Sequence, residues 1–314
     1  MSLKNSLLIF IDTNVLLDFY RMRGESSNKL LGRLDSLHKD LVMTYQVEME
    51  FMCNRQRVMV EFLEELKNCV RRVSAPAFLA ESKTNKALAT LLGRTKSQVA
   101  KLRQRLIHLI EHPSKDPVLV AANRMFRVDS PLNLRREDEA RVEVKEKAAT
   151  RFRLGYPPRK KGDTSMGDAL NWEWILRCMG EHNRDVVIVS RDSDYGVEID
   201  GKSYPNDWLV HEAKQRARQT RKIKLVSRLS AGLKEMKIEV SAEEIEQEKK
   251  VAEQVPSADQ QAGSLSAFFP PGNPLDFLYR IDPDAEAKRA VAEMVGRLRG
   301  TSGSSSALNA PVEL

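Results

Sequence analysis

Apolar and polar positions along the 314-residue chain follow two alternating rhythms. Leu7-Leu8-Ile9-Phe10-Ile11 is an unbroken apolar run that stops at Asp12-Thr13-Asn14. Asp185-Val186-Val187-Ile188-Val189 is a second such run, followed by Ser190-Arg191-Asp192-Ser193-Asp194-Tyr195. Runs that do not alternate predict strands covered on both faces. Residues 40–44 and 223–226 predict two further short strands, and residues 199–204 a pair of short strands turning at Gly201. Between them the apolar spacing is helical. It predicts helices over 15–20, 27–38 (Leu30, Leu31, Leu34, Leu37), 44–72, 163–179, 208–219 and 228–235, with Asn206 or Asp207 as a cap. Strands alternating with helices predict an α/β fold around a parallel sheet.

Two stretches depart from that alternation. Residues 74–155 show helical spacing only, at 79–111, 117–127 and 136–153, with Pro113 ending the first. They predict a helical insertion on a body spanning 5–240. From residue 241 onward the chain predicts an extension. It comprises a charged helix at 243–254, a linker at 256–263, a Phe/Pro-rich segment, an amphipathic helix at 283–299 and a Gly/Ser-rich tail. Residues 265–299 either fold back or dock a protein partner.

Composition changes this picture in one respect. The net charge of +7 is unevenly placed: residues 241–314 carry 7 basic and 12 acidic groups, so the surplus of basic charge lies on the body. That asymmetry points to a polyanionic partner. The three cysteines (Cys53, Cys69, Cys178) show neither zinc-ligand spacing nor a disulfide framework. No apolar run approaches the roughly 20 residues that span a bilayer. A cytoplasmic protein with no membrane association is expected.

The chemistry lies at the ends of the two long strands. In parallel sheets ligands bind beyond the carboxyl ends of the strands. Two neighbouring ends would gather Asp12, Asp192 and Asp194, and clustered carboxylates call for a cation. Two more acids join them. Glu50 lies two turns into the helix after Thr44, although Glu48 competes, pointing about 200° away on the same helix. Asp168 opens a helix behind Gly167, with Asp163 as the competing position. A divalent-metal site follows from this order of elements.

At these residues the chain resembles the PIN-domain nucleases, and among them a bacterial PIN-like group of unknown function. Ile11-Asp12-Thr13-Asn14, Val47-Glu48-Met49-Glu50-Phe51, the segment from Gly162 to Trp174 and Val189 to Tyr195 carry the resemblance. It implies a three-layer α/β/α sandwich and a Mg²⁺- or Mn²⁺-dependent cut of a phosphodiester, usually in RNA. It makes Asp12, Glu50, Asp168 and Asp192 the metal-site acids and Asp194 an auxiliary. Asn14 and Ser190 match positions that orient carboxylates or water. Such proteins serve as toxins, RNA-processing factors or phage-defence effectors. A silent nucleic-acid-binding or scaffold module is the alternative reading.

Two basic clusters are available to a phosphate backbone. Arg151, Arg153, Arg159, Lys160 and Lys161 precede the Asp168 motif directly; Lys214, Arg216, Arg218, Arg221, Lys222 and Lys224 form the other. Trp172 and Trp174 read as core, and Glu173 as a solvated or supporting acid. His108-Leu109-Ile110-Glu111-His112 has the spacing of an inverted zinc-protease motif, but Pro113 ends its helix and no third ligand follows. An Asp-nucleophile phosphatase needs a second Asp where Asn14 stands.

Overall fold

A computed structural model describes residues 7–68, 76–159, 165–217 and 220–254. Lys160, Lys161, Asp163, Arg218, Cys69 and the stretch 265–299 lie outside these residues.

Five strands form one sheet: β1 (Leu7–Ile11), β2 (Leu41–Thr44), β3 (Asn133–Leu134), β4 (Asp185–Val189) and, numbered after the hairpin strands β5 (Gly196–Ile199) and β6 (Lys202–Pro205), β7 (Ile223–Val226). Their order is β3-β2-β1-β4-β7, and every pairing is parallel. β1 lies against β2 on one side and β4 on the other, with Ile11 opposite Val189. The chain therefore reverses its direction of winding at β1, which places a crevice beyond the ends of β1 and β4.

Helices cover the sheet as the outer layers of an α/β/α sandwich. In one group, α6 (Ala140–Leu154), α7 (Gly167–His182) and α8 (Asp207–Ala217) pack together, with α7 against β2 and β4. In the other, α2 (Glu25–Leu34) contacts α5 (Pro117–Phe126) and α10 (Ala242–Gln254), and α9 (Leu229–Glu235) lies on β4 and β7. Gly232 allows α9 this close approach, since a Cβ there would stand 2.7 Å from Val189 Cγ2. The short α1 (Thr13–Leu17) and the long α3 (Tyr45–Asn68) follow β1 and β2 directly.

The helical region between 74 and 155 is not a unit apart. β3 is the sheet's edge strand, and Leu119, Phe126, Leu134, Val144 and Ala148 belong to the main core. Only α4 (Lys83–Glu111) stands off, with no buried residue in 29. Arg55 of α3 pins its end. Nε donates to Asp116 at 2.8 Å, and a guanidinium nitrogen donates to the Leu109 carbonyl at 2.8 Å. Asp116 also accepts from the Tyr20 hydroxyl at 2.6 Å and caps α5.

The charged helix α10 belongs to the body rather than to an extension. Arg33 pairs with Glu244 at 2.9 Å. The buried Glu248 carboxylate accepts from the Leu229 and Ser230 amides, capping α9. These contacts cross the boundary expected at residue 241. No described helix is long and apolar enough to cross a membrane.

Candidate active site

β1 delivers Asp12 to the crevice, where it caps α1 and is only 4 % exposed. Its Oδ1 accepts from the Thr13 amide at 2.6 Å, and its Oδ2 from the Asn14 side-chain amide at 2.9 Å. The Ser190 hydroxyl at the end of β4 donates to the same Oδ2. Ser190 Oγ in turn accepts from the Asp192 amide at 3.0 Å, and the Asp12 amide donates to the Val189 carbonyl at 2.9 Å. Asn14 and Ser190 thus hold the two strand ends together around one carboxylate.

Glu50 reaches the same place from α3. Its carboxylate accepts from Thr13 Oγ1 at 2.9 Å and from Gln46 Nε2, one turn earlier, at 2.7 Å. Glu50, not Glu48, is the helix acid whose charge bears on Asp12 and Asp168. Asp168 stands in the first turn of α7. Gly167 makes that approach feasible, because a Cβ there would lie 2.5 Å from Glu50 Oε1 and 2.6 Å from Gln46 Nε2. Thr44 joins the two helices from below: its hydroxyl accepts from the Val47 amide and donates to Asn171 Oδ1 at 2.6 Å. Asp192 is half-buried and Asp194 buried on the loop after β4.

Burial first, then the charges of Asp192 and Glu50, push the Asp12 carboxyl up to about 7, against hydrogen bonds from Ser190 and Thr13 that lower it. Asp168 rises well above the usual carboxylate range through burial, then Asp12, Asp192, Glu50 and Asp194. A helix N-terminus favours an ionised acid by about 1 kcal/mol at most in ordinary surroundings, and here burial and repulsion outweigh it. Four elements have therefore brought the five acids expected from the sequence into one electrostatic unit.

This has a measurable consequence for stability. Asp12 loses its proton near pH 4 in the unfolded chain and near 7 in the fold. Across that window the folded state binds more protons than the unfolded one, so stability falls as pH rises. In EDTA the protein is expected to melt at a lower temperature at pH 8 than at pH 5. Mg²⁺ or Mn²⁺ should raise the melting temperature more at pH 8, where the carboxylates are free of protons. Thermal unfolding at both pH values checks this; a melting temperature that climbs from pH 5 to pH 8 in EDTA contradicts it.

The donor set suits a hard divalent cation. It consists of oxygen only, and the mutual repulsion of its carboxylates is relieved by a cation. Polar atoms are left over in the same region: Asn14 Oδ1, Asn171 Nδ2 and the Tyr195 hydroxyl are buried with no hydrogen-bond partner among the described residues. Among the described residues no group of three or more Asp, Glu, His or Cys is placed to hold a metal ion by itself. An ion that keeps several waters and takes one or two carboxylates directly needs no such group.

A PIN-domain profile matches residues 9–195, more than half of the chain. The chain belongs to the PIN-domain family. PIN domains are usually nucleases and typically use divalent metals. No curated protein and no solved structure matches the chain. The matched span of the PIN domain includes all four motifs and all five acids.

Other positions lie differently from the sequence expectation. Arg151 is 4 % exposed; it donates to Glu173 at 2.9 Å, to Glu212 and to the Pro157 carbonyl, so its charge is answered inside the protein. Glu173 is not solvated: it is buried and paired with Arg151 and, at 2.7 Å, with Arg216. Trp172 and Trp174 are core residues. Arg153 and Arg159 remain exposed, the latter with its guanidinium 4.4 Å over the Phe152 ring. In the second cluster Arg216 pairs with Glu173 and Glu212, Lys224 with Glu235, and Arg221 with Asp185 at 3.4 Å. His108 and His112 stack on each other at 4.2 Å.

Sequence reasoning passed over Arg191. Its guanidinium clasps the buried Asp18 with two nitrogens, one at 2.9 Å, and donates to the Asn14 carbonyl at 3.2 Å. It thereby fixes the loop bearing Asp192 and Asp194 against α1. A lone arginine within an acidic motif was the available signal, but its partner lies 173 residues earlier.

Proposed function

We propose that this PIN domain is a metal-dependent endonuclease that hydrolyses phosphodiester bonds, RNA being its main substrate. The observation that carries the reading is the convergence of Asp12, Glu50, Asp168 and Asp192 from four elements into one acidic crevice at the reversal point of the sheet. When bound there, Mg²⁺ or Mn²⁺ would supply charge neutralisation for the phosphate and acidify the attacking water.

The chain's own residues do the rest. Ser190 and Asn14 aim Asp12, Thr13 and Gln46 aim Glu50, and the α7 N-terminus carries Asp168. Asp12, Thr13 and Ser190 are buried, which strengthens the interactions they make within the crevice. The body's surplus of positive charge favours a nucleic-acid substrate. α4 alone carries seven Lys or Arg and one Glu. A role as toxin or phage-defence effector is compatible with this chemistry, which does not depend on which RNA is cut.

Incubation of the purified protein with a mixed panel of RNA and DNA, in Mg²⁺, Mn²⁺ or EDTA, tests the reading. Metal-dependent cleavage of RNA is expected. Binding without turnover under every metal condition would instead establish the scaffold alternative. Gly167→Ala gives a sharper check. The added methyl would stand 2.5 Å from Glu50 Oε1 and 2.6 Å from Gln46 Nε2, so these side-chain ends must swing aside, taking the Glu50 carboxylate out of its place. Misplacement on the scale of 1 Å costs roughly 100-fold in rate; single-turnover cleavage should drop by about that factor, and an unchanged rate would count against Glu50 as a working acid.

A further inference from the structure

At the start of α8, where the Asn206 amide hydrogen-bonds to the loop that bears Asp194, lies an exposed aromatic surface that cleavage chemistry does not require. Tyr156, just beyond α6, and Trp208, in the first turn of α8, come from segments 52 residues apart, and their ring centroids are 5.5 Å apart at 33°. Each is 44 % exposed. Tyr204 on β6 is equally exposed, with the Lys202 ammonium 5.2 Å from its ring centroid. Contiguous exposed aromatics, unlike single scattered ones, mark surfaces that take a ligand or partner.

The pair is firmly mounted. Gly155, in the left-handed conformation that closes α6, turns the chain, and the Tyr156 amide donates to the Arg151 carbonyl at 3.1 Å. Beneath it, Arg151 is bound to Glu173 of α7 and Glu212 of α8, while Trp172 Nε1 donates to Glu212 at 2.9 Å. This buried network clamps α6, α7 and α8 together, and α7 is the helix that carries Asp168. Trp208 has a second link to the crevice. Its amide is capped by Asn206 Oδ1 at 2.9 Å, and the Asn206 amide donates to the Tyr195 carbonyl at 2.8 Å, one residue past Asp194.

We infer that Tyr156 and Trp208 form a stacking platform for the bases of a single-stranded nucleic acid whose backbone runs into the acidic crevice. Every base has a π-face, and stacking on exposed aromatics combined with basic side chains along the backbone is the usual means of holding single strands. The charges fit that occupant. Arg159 lies alongside, its guanidinium 3.6 Å from where a Cβ on Gly155 would stand, and Lys202 sits over Tyr204. The acids underneath, Glu173 and Glu212, are already answered by Arg151 and Arg216. A duplex, with its bases stacked inward, has no free face to offer the pair.

The inference rests on the nucleic-acid reading above but not on turnover. The chain has three tryptophans; Trp172 and Trp174 are buried, so a change in emission on binding reports Trp208. Full-length protein carrying Asp12→Asn, in EDTA, is titrated with a single-stranded oligoribonucleotide, its duplex, and an abasic strand of equal length. Quenching by the single strand is expected, with affinity roughly tenfold weaker for the duplex and the abasic strand. By anisotropy of a labelled strand, Trp208→Ala and Tyr156→Ala should each weaken binding about tenfold, and Trp208→Phe should restore it. Both alanine variants should keep the parent melting temperature. Equal affinity for abasic and base-bearing strands, unaltered binding in both alanine variants, or quenching produced only by self-association of the protein would each overturn the platform. Binding here with no cleavage by the unsubstituted protein would overturn the nuclease reading alone.

Discussion

Replacing Asp12 with Asn is expected to lower cleavage by about a thousandfold or more while leaving the fold in place. The loss follows from position and charge. Both oxygens of Asp12 are oriented by hydrogen bonds, from three separate residues, and Asp12 bridges the ends of β1 and β4. Asn keeps its shape and its carbonyl acceptor but not its charge. The fold survives because the neighbours can adapt. With an amide at the Oδ2 position, the Ser190 hydroxyl can turn from donor to acceptor. The Asn14 side chain can flip to offer its Oδ1, which has no hydrogen-bond partner among the described residues. Removing one of several repelling charges should also raise the melting temperature of the metal-free protein at pH 8. Cleavage at the unsubstituted rate by Asp12→Asn protein, free of contaminating nuclease, would sink the catalytic assignment. An unfolded variant would show instead that the hydrogen bonds of Asp12 matter more than its charge.

Arg55→Met is expected to destabilise the protein by about 3 kcal/mol, without touching the acidic crevice. Arg55 and Asp116 are nearly dry, and breaking a buried pair by removing one partner costs roughly 3–5 kcal/mol. The lower end applies because Asp116 keeps the Tyr20 hydroxyl and two backbone amides of α5. The freed Leu109 carbonyl, at the foot of α4, loses its donor as well. A drop of roughly 5–10 °C in melting temperature should result, together with faster proteolysis within α4. Asp116→Asn tests the same contact from the other side: it keeps a cap on α5 but loses the ion pair, so it should cost less. A melting temperature unchanged in Arg55→Met would show that α4 is held by its packing alone.

The parallel strands and most helices were legible because their signals are local. β1 and β4 announce themselves as unbroken apolar runs, and α3 and α7 by 3.6-residue spacing. β3 was invisible because two residues, Asn133 and Leu134, carry no periodicity; only the exposed edge of β2 makes them a strand. The helices of 117–154 were recognised as helices but not as part of the body, since a helix's partner cannot be read from its own spacing. α10 was recognised and separated from the body for the same reason: Glu248 reads as one more charge on a solvated helix until the α9 amides it caps are seen.

The acids followed the same division. Their position at strand ends and helix starts came from local pattern, and so did the family. What local pattern left open at Glu48 and Glu50 was decided by geometry, as Thr13 and Gly167 place Glu50 against Asp12 and Asp168. Arg151 shows the converse. In sequence it is one of five neighbouring basic residues, yet Glu173 and Glu212, 22 and 61 residues away, withdraw it from the surface. The aromatic pair was equally hidden, since Tyr156 and Trp208 belong to different segments with nothing repeated between them.

By itself the sequence determined which residues carry charge, which segments bury themselves and in what order the acids come, because these depend on side-chain chemistry and on the period of each element. Tertiary structure alone decided which charges are neutralised, which acids share a crevice and which aromatics meet in water. Those outcomes depend on distances between segments far apart in the chain, and the electrostatics and packing that follow are set by separations of a few ångströms.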